Sequence, residues 1–255
     1  MLENTPSRRR VVLSGLAALL AAGRASAFGD VGAFNPRVLV AGGKRLSGPR
    51  STGPAAWSME LINRTSAPAR LTPREVALDR PELCNEPFAI WAGEGDVGAL
   101  SVAERRGLSK FIHLGGVLVV DDNDPAQGAF GRSVRRELLR ILPESPPVRL
   151  DPSHVVFKTF YIVERPVGRV LGPPTIDAIV RGKNAQVLLL SHDLLGALAR
   201  TDDGSYSFPT EPLSYEHRQH AMRFAVNIAM YVLCSDYKDD QVHAPFLMRR
   251  RAQAR

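Results

Sequence analysis

Cysteine is nearly missing from this chain: Cys84 and Cys234 are the two in 255 residues, and they lie far apart with no C-x-x-C. A disulfide-framework miniprotein is thereby excluded; the two are open either to pairing in an oxidising compartment or to staying as separate buried thiols. Long apolar runs are missing as well. The longest weakly apolar stretch, Val11 to Ala22, covers about twelve residues, whereas a membrane-spanning helix needs about twenty. After Gly42-Gly43, which resembles half of a phosphate loop, no G-x-G-x-x-G and no G-K-[ST] follows, and no G-x-S-x-G elbow occurs. Dinucleotide binding, nucleotide binding and an α/β-hydrolase nucleophile are disfavoured on that ground.

Positive charge is plentiful, with 33 Lys and Arg against 26 Asp and Glu and a formal charge of +7. Its placement decides what it means. Residues 1–27 hold Arg8, Arg9, Arg10 and Arg24 against Glu3, and the tail holds Arg249, Arg250, Arg251 and Arg255 without an acid, so the remainder is formally neutral. A nucleic-acid surface on the body is unsupported, since that binding needs clustered cations facing phosphates. Ser7-Arg8-Arg9-Arg10, a short apolar centre and Ala25-Ser26-Ala27 form the three zones of an export signal of twin-arginine type, cleaved after Ala27. The expected organisation is a signal over 1–27, one α/β domain over 28–244 and a basic flexible tail over 245–255, in the periplasm or cell envelope, with no transmembrane span after signal removal.

Within the body, Val38–Ala41, Phe88–Ala92, Val117–Val120 and Val187–Leu190 are apolar at consecutive positions, as strands buried on both faces are. Helix-period segments separate them. Ser101-Val102-Ala103-Glu104 is a capping box opening a helix that Gly115-Gly116 stops. Phe130, Val134, Leu138 and Ile141 mark a second helix, and Ala221 to Val232 a last one reaching about Cys234. Alternation of this kind predicts a doubly wound, mostly parallel α/β sheet in three layers, flavodoxin-like in its winding. Glu144–Leu150 and Thr201–Leu213 read as loops, and Val155–Val163 as an extended hairpin or edge strand.

Ligands in such sheets sit beyond the carboxyl ends of the strands. That crest holds Gly93, Glu94, Asp121, Asp122, Asn123, Ser191, His192 and Asp193, with Gly42-Gly43 after the first strand and His154 in a loop over the sheet. Asp121, Asp122 and Asp124 are candidate oxygen ligands for a divalent metal, the one cofactor option the sequence offers; the competing reading is that they cap a helix or close a turn. Ser191-His192-Asp193 has the residue types of a hydrolytic triad, but neighbours at a strand end point to opposite sides, so no catalytic residue is assigned. His217 and His220, three apart, read as an exposed helix start or a metal pair.

Phe88-Ala-Ile-Trp-Ala-Gly93, Leu100-Ser-Val-Ala-Glu104, Phe111-Ile-His-Leu-Gly-Gly116, Val117-Leu-Val-Val-Asp-Asp122, His154-Val-Val-Phe157 and Asn227-Ile-Ala-Met-Tyr231, in this order and spacing, resemble the domain-of-unknown-function 4159 family over about Pro36 to Cys234. The resemblance implies a fold similar to class I glutamine amidotransferase-like domains, without their elbow cysteine and with His154-Val155 where the family has His-Pro. It also implies neighbours of AAA-type ATPase and von Willebrand factor A-like type, hence an envelope protein partner. Three readings follow. The first is a non-catalytic exported domain that binds a partner protein or small polar ligand at the crest, shaped by Asp121, Asp122 and His154. The second is a metal-assisted, hydrolase-like enzyme using the same carboxylates, and the third a carbohydrate-binding module of the envelope.

Overall fold

The computed structural model describes residues 32–253, with side chains to residue 235; the signal expected over 1–27 lies outside the described residues. Seven strands form one sheet in the order β2-β1-β3-β4-β7-β6-β5, where β1 is Arg37–Val40, β2 Glu75–Ala77, β3 Phe88–Gly93, β4 Val117–Asp122, β5 Val148–Leu150, β6 Ile176–Arg181 and β7 Asn184–Leu190. β2, β1, β3, β4 and β7 pair in parallel, and β6 runs antiparallel between β7 and β5. All four expected strands are present. β4 continues through Asp121 and Asp122, because the register Ala92↔Asp121 and Gly93↔Asp122 carries the ladder to the end of β3.

Strand residues alternate between two cores, as the two-residue period of a strand requires. Val38, Ile90, Val119 and Leu188 face α1 (Gly53–Thr65), α4 (Leu194–Leu198) and α5 (Tyr215–Gln253), packing with Trp57, Leu61, Leu195, Phe224 and Ile228. Leu39, Trp91, Leu118, Val120 and Val187 face α2 (Val102–His113) and α3 (Ala129–Ile141), packing with Leu108, Phe111, Val134 and Leu138. The result is a sheet with helices on both faces. Trp57 is fully buried, and its Nε1 donates to the Ala225 carbonyl at 2.8 Å, fastening α1 to α5.

The capping box is formed as its residues dictate: Ser101 accepts from Glu104 N, and Glu104 Oε2 accepts from Ser101 N at 2.8 Å. Gly115 adopts φ 93° just after α2, the left-handed conformation that ends a helix. Gly107 lets α2 approach closely, since a Cβ there would overlap the Leu78 carbonyl oxygen.

Three segments differ from expectation. Val155–Val163 is a short 3-10 turn, Val155–Phe157, followed by irregular chain rather than a hairpin. Its backbone finds partners on a helix instead of a strand: Asn227 of α5 accepts from Phe160 N and Tyr161 N and donates to the Tyr161 carbonyl. Phe157 stacks on Phe224 with ring centroids 5.6 Å apart. Part of the expected loop Glu144–Leu150 is the edge strand β5. The last helix begins at Tyr215, and its backbone runs to Gln253, into the basic segment 245–255.

Candidate functional site

From β1 the chain turns through α1 on one face to reach β2, and from β3 it turns through α2 on the other face to reach β4. The winding therefore reverses between the carboxyl ends of β1 and β3, where such sheets open a crevice. A cleft of about 320 Å³ lies there, lined by the chain after β1 (Lys44 to Ser47, and Arg50), by Trp91, Gly93 and Glu94 of β3 and its end, and by Asn123 and Phe130. Another hollow, of about 230 Å³, lies at the amino ends of the strands, beside Cys84 and Val232. Both cysteines are free thiols.

Gly42-Gly43 forms a tight turn in which both residues have positive φ and Ala41 and Lys44 exchange backbone hydrogen bonds. The Gly42 amide donates to Glu104 Oε1 at 2.6 Å, so it is not free to cradle a phosphate. Lys44 Nζ donates to the Asp96 carbonyl at 2.5 Å, which aims its cation at the cleft mouth. At Gly93 an added Cβ would meet the Phe130 ring at 2.8 Å, so only glycine lets the aromatic floor approach β3.

Asp121 and Asp122 are buried and turn to opposite faces. Asp121 accepts from Leu194 N at 2.8 Å and Leu195 N at 2.7 Å, holding the first turn of α4. Burial, and then the nearby Asp193, push its pKa up to about 8. Asp122 accepts from Gly131 N at 2.9 Å and Asp124 N at 3.1 Å, holding the start of α3, and burial raises its pKa as well. Asp124 accepts weakly from Gln127 N. The three acids thus serve separate backbone amides. Among the described residues no group of three or more His, Cys, Asp or Glu is arranged to hold a metal ion.

Ser191, His192 and Asp193 also part company. His192 Nδ1 accepts from Ser191 N, and its Nε2 faces the Pro173 carbonyl at 2.9 Å. This arrangement suits the neutral ring, and burial lowers its pKa to about 4. Asp193 takes a left-handed conformation, φ 52°, and caps α4 through Gly196 N. Its carboxylate receives two bonds from Arg50 at 2.7 Å and one from Arg169 Nε at 2.5 Å, and Arg169 continues to Glu211. Arg50 also donates to the Asn123 carbonyl and lies over the Phe208 ring, 4.4 Å from its centroid.

His154 is not part of the cleft. It caps the 3-10 turn through Val156 N, with its ring 6.0 Å from Tyr231 of α5. His217 is buried rather than exposed, with Nε2 against the Gly168 carbonyl at 3.1 Å, while His220 is exposed, so the two form no metal pair.

Of the expected crest residues, Gly93, Glu94 and Asn123 line the cleft, and Asp193 stands behind it through Arg50. Asn123 is the notable one: it is 6% exposed, and its Oδ1 is buried without a hydrogen-bond partner. Native proteins satisfy nearly all such groups. Lys44, Arg50 and Arg169 were not legible as site residues, since dispersed cations read as ordinary surface. No curated protein matches the chain. Residues 39–233 match the family model described as Domain of unknown function (DUF4159), and the chain belongs to that family.

Proposed function

We propose that this protein is an exported, non-catalytic binding domain that takes a small polar ligand in the cleft between the ends of β1 and β3. The observation that carries this reading is the cleft itself, which opens where the winding reverses and is lined by Lys44, Arg50, Trp91, Glu94 and Asn123, a residue whose Oδ1 has no hydrogen-bond partner. The carboxylates expected to shape the pocket, Asp121 and Asp122, hold helix starts instead, which removes the acids on which the hydrolase-like reading rested. The sheet winding and the family membership support an amidotransferase-like variant of the fold, used here for binding alone.

Tryptophan emission reports directly on the cleft. Of the two tryptophans, Trp57 is sealed in the core and Trp91 lines the site. A library of small polar metabolites screened by emission and thermal shift should give a hit whose emission change disappears in Trp91→Phe. Hits that leave Trp91 unmoved would place binding elsewhere and end this reading.

Export rests on Arg8 and Arg9 followed by a short apolar centre and Ala25-Ser26-Ala27. Changing both arginines to lysine should retain the uncleaved chain in the cytoplasm. Unchanged periplasmic accumulation would rule out the twin-arginine route.

A further inference from the structure

The charged side chains that line the cleft are Lys44, Arg45, Arg50 and Glu94, and the acids that pair with two of them, Glu75 and Asp193, stand behind the lining. Arg50 is the inner one, with its side chain 16% exposed. Its Nε and Nη2 go to Asp193 and to the Asn123 carbonyl, and Phe208 lies against its guanidinium. Nη1 makes no hydrogen bond with any described residue and is not sealed from solvent, so its two N–H groups are within reach of a ligand. Lys44 and Glu94 are exposed at the mouth. Lys44 has a carbonyl rather than an acid as its partner, and Glu94 makes no hydrogen bond or ion pair with any described residue.

Both signs of charge are thus open in one cleft. A phosphate would bring strong negative charge to arginines that Glu75 and Asp193 already neutralise, with Glu94 against it. A plain carboxylic acid still leaves Glu94 facing an anion, and a plain amine leaves Arg50 Nη1 unused. An α-amino acid carries both charges and no net one. Its carboxylate accepts from Arg50 Nη1 in charge-assisted bonds, and its ammonium group donates to Glu94. Lys44 keeps the mouth from repelling the carboxylate as it enters. The rest of the lining is apolar, with Leu39 and Val97 beside Trp91 and Phe130, whose rings stand edge to face with centroids 6.1 Å apart. That wall suits an apolar side chain. The volume of about 320 Å³ is at the lower end of small-molecule sites and fits a single residue better than a peptide.

We propose that the cleft binds a free α-amino acid with an apolar side chain, its carboxylate on Arg50 Nη1, its ammonium group on Glu94 and its side chain against Trp91 and Phe130. This rests on the reading of the cleft as a ligand site and names the ligand class. Arg50 anchors the ligand, and Glu94 separates an amino acid from a plain acid.

The full chain is titrated with leucine, phenylalanine and glycine, with 3-phenylpropionate and 2-phenylethylamine, which each keep one charge of phenylalanine, and with inorganic phosphate, following Trp91 emission. Leucine or phenylalanine is expected to bind with a Kd on the order of 0.1 mM. Glycine, which leaves the apolar wall bare, should bind about tenfold or more weaker. Glu94→Gln should weaken the amino acid about threefold and tighten 3-phenylpropionate, a change of opposite sign for the two ligands. Glu94 is exposed and unbonded, so this variant should melt with the parent, which separates loss of binding from loss of fold. Arg50→Lys keeps a cation for Asp193 while deleting Nη1, and should weaken the amino acid about tenfold. Amino-acid binding that is unmoved by Glu94→Gln or by Arg50→Lys overturns the proposal. Glycine, 3-phenylpropionate, 2-phenylethylamine or phosphate binding as tightly as the better of leucine and phenylalanine overturns the apolar amino acid and leaves the cleft as a ligand site. Silence from all of these probes also overturns the amino acid, and silence from the wider metabolite library as well removes the cleft reading with it.

Discussion

Replacing Asp193 by Ala is expected to cost about 3–5 kcal/mol of stability, the range seen when one member of a buried ion pair is removed. The carboxylate is fully buried, while the side chains of Arg50 and Arg169 are 16% exposed, so neither cation recovers its lost partner fully from water. Two further effects add to the loss. The cap on α4 through Gly196 N disappears, worth about 0.5–2 kcal/mol. Alanine must also adopt φ 52°, a conformation that Asp and Asn tolerate far better. Asp193→Asn keeps the backbone preference and one good acceptor while deleting the charge, so urea unfolding should place it between the parent and Asp193→Ala. A loss below about 1 kcal/mol for Asp193→Ala would mean that the arginines are solvated in solution, as exposed pairs are.

This network shows where sequence reading stops. The parallel strands were legible because burial on both faces forces consecutive apolar residues, and the α2 start was legible because Ser101 and Glu104 sit three apart. Both signals are local. Arg50 and Arg169 reach Asp193 across 143 and 24 residues of chain, and nothing in either neighbourhood distinguishes them from the surface arginines. β2, β5 and β6 escaped for a related reason. β2 and β5 are three residues each, and β6, Ile176–Arg181, mixes Asp177 and Arg181 with apolar positions toward the far side of the sheet. Asp121 and Asp122 were placed correctly on the crest, but their work depends on which helix start each one faces. Alternation along β4 sends one to α4 and the other to α3, so a cluster in sequence becomes two caps in space. Asn123, next in line, is left with no such duty for its Oδ1, and no pattern in the sequence separates it from its neighbours.

Stability should decline between pH 6.5 and pH 8, a window in which a fold whose carboxylates are held ionised is flat. Asp121, whose pKa is pushed up to about 8 from 3.8, keeps its proton in the folded state where the unfolded chain has released it. The unfolded state then binds fewer protons, and stability falls as pH rises through that window, by at most about 1.4 kcal/mol per unit for one proton. His192 acts in the opposite sense. Its pKa falls from 6.5 to about 4, so the unfolded chain binds the extra proton and stability rises between those values. His154 and His217, both lowered chiefly by burial, push the same way. Below pH 6.5 the histidines therefore offset Asp121. At pH 6.5 the unfolded histidines are still half protonated, and their loss of that proton by pH 8 returns about 1 kcal/mol of the roughly 1.7 kcal/mol that Asp121 takes away, leaving a net decline of about 0.5–1 kcal/mol. Asp121→Asn removes that titration and leaves the histidines, so its urea midpoint should rise slightly over that range. At pH 6 the variant should be the less stable of the two, because an amide NH₂ then opposes either Leu194 N or Leu195 N and leaves a buried donor unbonded, at about 1–3 kcal/mol. A stability difference between the parent and Asp121→Asn that is the same at pH 6.5 and pH 8 would show that the carboxylate is ionised in the fold, held by its two amides and Arg50 against the pull of burial.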